Sequence, residues 1–171
     1  MGTLLEKLAA RQHLAAALLS TWLILTSPWV SMLRSIPRDA SVLEYGHIVL
    51  GFIALLLAIT YMLSCTRGGR WRLYFPWVAG RLGTVWTDIV GLLRGRIPTA
   101  EGGGLFALVE GLLLVLFLLT AMTGAAWFWN QGSSDAVLWR GYHILAARGF
   151  TGLIVVHAIS VSLHLLDFVR D

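Results

Sequence analysis

Five histidines, His13, His47, His143, His157 and His164, all fall in or at the ends of long apolar runs. Burying an imidazole in such surroundings costs free energy unless it gains a polar partner or a metal. A neutral imidazole is also the common nitrogen ligand of transition metals, haem iron among them. One such histidine is ordinarily a hydrogen-bonded packing residue. Here the spacing is ordered. His143 and His157 are 14 residues apart. Fourteen helical steps of about 100° bring the second ring back to within roughly 40° of the first, about 21 Å further along the axis. Both rings can then face the bundle interior at two different depths.

The elements that would position these rings are legible from composition. Of 171 residues, 57% are hydrophobic and 13% charged, whereas a soluble domain carries about 25% charged residues. No charge interrupts Leu14 to Leu33, Gly46 to Thr66, Gly111 to Ser134 or Gly149 to Leu166. Each run is long enough to cross a hydrocarbon layer about 30 Å thick. The chain thus reads as an all-α, integral membrane four-helix bundle in one domain, residues 1–171, with spans at about 13–34, 45–65, 105–129 and 138–168. The first run is longer than the apolar region of a signal peptide and lacks a cleavage site after it, so it reads as a retained span.

Arginines set the expected orientation. Arg67, Arg70, Arg72, Arg81, Arg94 and Arg96 lie between spans two and three, and Lys7 and Arg11 precede span one. The positive-inside rule places both termini and this loop in the cytoplasm, in a bacterial inner membrane. Within the loop, Pro76, Trp77, Leu82, Val85, Trp86, Ile89, Leu92 and Leu93 recur at helical spacing and predict an amphipathic helix on the cytoplasmic interface, with Pro76 at its first turn. The glycines at 102–104 read as a turn, since no strand precedes them and no Lys-Ser/Thr follows.

Orientation turns the histidines into pairs. Span one runs outward from His13 and span two inward from His47. By depth, His47 matches His143 near the outer surface, and His13 matches His157 in the inner half. Two facing pairs at two depths are what two bis-histidine haems need. No Cys-x-x-Cys-His occurs, so such haems would be of the non-covalent b type. Histidines at opposite depths do not converge as zinc requires. Gly51, Gly124, Gly149 and Gly152 lie on these spans, and small residues there serve either a flat macrocycle or close helix packing.

The order of one histidine opening span one, one opening span two and two on span four resembles the prokaryotic cytochrome b561-type superfamily. It is most similar to the cytochrome b (gamma) subunits of membrane formate dehydrogenases and nickel–iron hydrogenases. The matching pieces are Arg11-Gln-His13, His47-Ile-Val-Leu-Gly51, Leu118-Leu-Thr-Ala-Met-Thr-Gly124 and His143 through His157. The resemblance implies four helices and two haems b, with electrons delivered from a periplasmic iron–sulfur or other redox subunit to a quinone, ubiquinone or menaquinone, near the cytoplasmic side. It assigns His47 and His143 to the outer haem and His13 and His157 to the inner one. The chain departs from these subunits at the start of span three. Gly103-Gly104-Leu105-Phe106 stands where they carry a polar Asn and Gln beside the quinone.

Glu110, inside span three, and His164, seven residues beyond His157 on the same face, are the candidates to replace that polar pair in a quinone or proton path. The alternative is a buried pair that orients helices. His164 is also the rival to His157 as ligand. Arg11, Arg140 and Arg148 lie near the histidine levels and are suited to haem propionates by their guanidinium forks. Trp22, Trp29, Trp71, Trp77, Trp127, Trp129 and Trp139 read as interfacial belts. Cys65 is the single cysteine, which excludes an internal disulfide and a cysteine-ligated cluster. The net charge of +4 sits between spans and does not point to nucleic acid. No flavin or nucleotide motif and no nucleophile with its base is present, so the expected role is that of an electron-transfer subunit. The alternatives are a stand-alone cytochrome b561 serving a soluble periplasmic carrier, and a haem-free helical scaffold.

Overall fold

The computed structural model describes residues 2–96 and 103–170, with side chains described for 10–96 and 103–162. It is all-helical, with no strand among the described residues: α1 (Gly2–Thr26), α2 (Val42–Thr66), α3 (Trp71–Tyr74), α4 (Leu82–Leu93), α5 (Leu105–Trp129) and α6 (Asp135–Arg170). Among the described residues three helical segments are long and apolar enough to cross a membrane, Val42–Gly69, Leu105–Trp129 and Asp135–Ser162. The chain is therefore a helical membrane protein. Its exposed apolar side chains, such as Leu56 on α2 and Leu145 on α6, form surface that lipid covers. α1 has 25 residues, about 38 Å of helix.

Two boundaries differ from the sequence reading. The first span was expected to run to residue 34, but α1 ends at Thr26. Pro28 follows at once in a short 3₁₀ turn, Ser27–Trp29, and proline disfavours helical geometry in the residue before it. The loop helix was expected to start at Pro76, but α4 starts at Leu82. Pro76 is instead buried in a turn, its carbonyl accepting from the Arg81 amide at 2.8 Å.

The chain divides into two compact units, one of Met1–Ser64 with Leu116–Gly149, the other of Cys65–Val115 with Phe150–Asp171. In the first unit, α1 approaches α2 where Gly46 lacks a side chain. A Cβ there would lie 3.1 Å from the Trp22 ring. The segment after Pro28 is a strap fixed by its backbone. Leu33 O accepts from Trp127 Nε1 at 3.0 Å, Met32 O from Arg140 Nε at 2.8 Å, and Ile36 N donates to Gln131 Oε1 at 3.1 Å. Arg34 O accepts from Gly132 N at 3.0 Å. Glu44 holds both ends of the strap: Oε1 accepts from Ser31 N and Oγ, and Oε2 from Ser41 N and Oγ. Ser41 Oγ in turn accepts from Glu44 N, a capping box at the start of α2. Met32, Trp127 and Ala136 form the apolar core beneath the strap, with Ile48 and Phe128 against it. Trp22 and Trp127, read from sequence as belt residues, are packing residues of this unit, whereas Trp29 and Trp129 are exposed.

In the second unit α4 is tied to the start of α5. Asp88 Oδ2 accepts from Leu105 N at 2.8 Å, supplying an acceptor to a free amide of the first turn. Gly104 lets the carboxylate in, since a Cβ there would overlap it. Asp88→Ala is expected to lower stability by about 1–2 kcal/mol, the usual worth of a helix N-terminal cap. The fall in melting temperature of the purified chain in detergent measures it, and an unchanged melting temperature would show the cap to be idle.

Candidate functional site

His47 lies in the second turn of α2 and His143 in the third turn of α6, both within the first unit. Their ring centres are 6.2 Å apart and their planes are at 89°. They border a cleft of about 410 Å³, counted with its open mouth and lined by Gly51, Phe52, Thr120, Ala121, Gly124, Ala125 and Phe128. Phe52 stands edge-on to Phe128 at 5.2 Å and to Trp129 at 5.8 Å, which gives the cleft an aromatic wall. Ile48 and Phe128 belong both to the cleft and to the core under the strap, so the two adjoin.

Both histidines have partly built settings. His143 Nδ1 lies 2.9 Å from Thr120 O. A carbonyl only accepts, so Nδ1 carries the proton and Nε2 keeps its electron pair for another partner. The ring reaches that carbonyl because residue 124 is glycine. A Cβ there would lie 3.2 Å from both Cε1 and Nδ1 of His143. His47 Nδ1 is buried and has no hydrogen-bond partner. Gly51 lines the cleft and a Cβ added to it would meet nothing within 4 Å, so its missing side chain leaves open space there.

The ring separation can be compared with that of two imidazoles sharing one metal ion. A metal between two imidazoles sits about 2 Å from each coordinating nitrogen, and a further 1 Å or so to each ring centre gives about 6 Å between centres. The 6.2 Å separation fits that figure. Of the small residues that line the cleft, Gly51 is the one with open space beside it, since an added Cβ there meets nothing within 4 Å. No group of three or more metal-binding side chains occurs among the described residues.

The other expected residues fall elsewhere. His13 is exposed on α1 and lies edge-on to Tyr61 of α2, with ring centres 6.4 Å apart. Gln12 Oε1 and Ser20 Oγ on α1 are buried without hydrogen-bond partners. His157 is half-buried on α6 and belongs to the second unit. The side chain of His164 lies outside the described residues. Arg140 is engaged by the strap through Met32 O, whereas Arg11 and Arg148 are exposed. Glu110 is half-buried on α5 in the second unit, within electrostatic reach of Tyr74. Burial pushes the Tyr74 phenol above its ordinary pKa, a hydrogen bond with Arg70 pulls the other way, and the charges of Cys65 and Glu110 add to the rise. Tyr74 had no periodicity signal, because its position follows from the α3 turn. Thr120 was equally silent, since its contribution is a backbone carbonyl. Glu44 did carry a signal, the Ser-x-x-Glu spacing of a capping box.

Comparison with protein-family models, with curated proteins and with solved structures gives no match.

Proposed function

We propose that the chain is a membrane cytochrome b, an electron-transfer subunit that holds haem b between His47 and His143 and passes electrons between a redox partner at one membrane face and a quinone at the other. The observation that carries this reading is the His47–His143 pair, at iron-bridging separation over a cleft floored by small residues. Bound haem iron would supply the one-electron chemistry. The chain's own residues do the rest. Thr120 O fixes the His143 tautomer. Phe52 and Phe128 give the cleft an apolar wall, which would lower the local dielectric and tune the potential of a bound metal. A second haem between His13 and His157 rests on sequence depth and helical phase. The topology with both termini cytoplasmic rests on the arginine distribution, and the interfacial seat of α4 on its apolar periodicity. Glu110, with Tyr74 beside it and His164 on α6, forms the proposed quinone or proton end.

The purified full-length chain is expected to give two haems per polypeptide in a pyridine haemochrome assay, with a b-type spectrum reducible by a quinol. A count of one would remove the inner pair. A chain without haem after expression with haem in excess would remove the whole reading and leave a helical scaffold. Co-purification of periplasmic redox subunits separates a complex subunit from a stand-alone cytochrome b561.

A further inference from the structure

We infer that the two histidines of this cleft are unequal ligands, His143 the fixed one and His47 the releasable one. The inference rests on the reading of the cleft as a haem site. Four observations carry it. His143 is bound through Nδ1 to Thr120 O at 2.9 Å, so its ring plane and tautomer are set before any ligand arrives. A metal-binding imidazole whose distal N–H is given to a carbonyl is held in orientation and is a more basic donor. Gly124 also makes the place that the ring fills, since an added Cβ there would lie 3.2 Å from Cε1 and Nδ1 of His143.

His47 lacks both supports. Its Nδ1 is buried with no acceptor in reach. Open space lies beside it at Gly51, one turn along the same helix, where an added Cβ would touch nothing within 4 Å. Its ring must be ordered when it binds metal, and it donates without the strengthening that a bonded distal nitrogen gives. The cleft therefore keeps a preset ligand when His47 is lost, and loses its organising ligand when His143 is lost. A small neutral donor of the size of imidazole enters on the His47 side, into the space that Gly51 leaves.

The test compares wild type, His47→Gly and His143→Gly, each as the full chain in detergent, with and without added imidazole. Haem is counted by pyridine haemochrome and iron spin state is read by electron paramagnetic resonance. His47→Gly is expected to keep the outer haem in a high-spin form that imidazole converts to low spin. His143→Gly is expected to bind that haem at least about tenfold more weakly, the lower bound for loss of ligand support, with no recovery in imidazole. Equal retention in the two variants, or the reverse order, overturns the inference while leaving the haem reading intact. A haem-free wild type overturns both. A second measurement needs no variant. In haem-free protein labelled with ¹⁵N-histidine, His143 is expected to show a protected Nδ1 proton and His47 none. Protection of both rings, or of His47 alone, contradicts the assignment.

Discussion

Replacing Gly124 by leucine is expected to reduce the haem content of the chain from two to about one per polypeptide while the helices remain. The reason is local. Even a methyl group at this position would lie 3.2 Å from the His143 ring, closer than ordinary van der Waals contact. A branched side chain has to push the imidazole off the Thr120 carbonyl or occupy the cleft itself. In either case the ring leaves its place 6.2 Å from the His47 ring. Gly124→Ala is the milder form: the ring gives by a few tenths of an ångström, and haem affinity falls about tenfold, the lower end of the range for disturbed ligand support. Gly51 supplies the control that separates a cofactor cradle from ordinary small-residue packing. An added Cβ there meets no protein atom within 4 Å, so Gly51→Leu should leave the haem-free protein as stable as before, or up to about 1 kcal/mol more stable from helix propensity. The same side chain fills the space beside His47 and should lower haem content. If Gly51→Leu destabilised the chain and left haem untouched, the small residues would be packing residues and the cradle reading would fail. Helicity by circular dichroism and the haemochrome ratio, taken on the same samples, decide it.

The parts of this site that were legible beforehand are those written in side chains at regular spacing. Four long helices follow from charge-free runs, and α5 and α6 carry the apolar stretches that the runs outlined. His47 and His143 stand out because a polar ring in an apolar run is conspicuous, and helical phase places His143 on an inward face. The parts that were not legible are backbone and tertiary effects. Thr120 contributes a carbonyl, which any residue has. The start of the strap hides inside the uncharged run Leu14 to Leu33, where hydropathy continues after the helix has ended, and only Pro28 marks the change. Trp127 and Arg140 look from sequence like a belt residue and an anion-binding cation. They serve the strap because Leu33 O and Met32 O lie within 3.0 and 2.8 Å of them. The exposure of His13 also lay beyond the pattern. Residue type and spacing place it two helical turns before Ser20, on nearly the same face, yet Ser20 is buried and His13 is not.

Gly111→Ala is expected to be among the most disruptive single-methyl changes in the second unit. A Cβ at 111 would overlap the backbone carbonyl of Tyr74 and lie 3.0 Å from the Trp77 ring. A side chain can rotate out of the way, but a peptide carbonyl in the short helix α3 moves only if the whole turn leaves α5. Overpacking against a flexible neighbour costs about 1–3 kcal/mol, and against immovable backbone it reaches or exceeds the top of that range. That is a large share of the 5–15 kcal/mol that holds a typical domain. Gly104→Ala is the comparison. Its Cβ would overlap the Asp88 carboxylate, which can swing aside at the loss of its bond to Leu105 N, a cost of about 1–2 kcal/mol. The chain carries its own reporter of the difference. Cys65 is 1% exposed and interacts with the Tyr74 phenol, so lifting α3 from Gly111 uncovers the thiol. Maleimide labelling of Cys65 in folded protein should accelerate by at least about tenfold in Gly111→Ala, as local opening becomes cheaper, and much less in Gly104→Ala. Because Glu110 is the neighbour of Gly111 and the Tyr74 phenol senses its charge, the same substitution should depress quinol oxidation in chains that still bind haem. Labelling at the wild-type rate would show that the α3 turn is not seated on α5 through Gly111, and the proposed Tyr74–Glu110 end of the electron path would lose its structural basis.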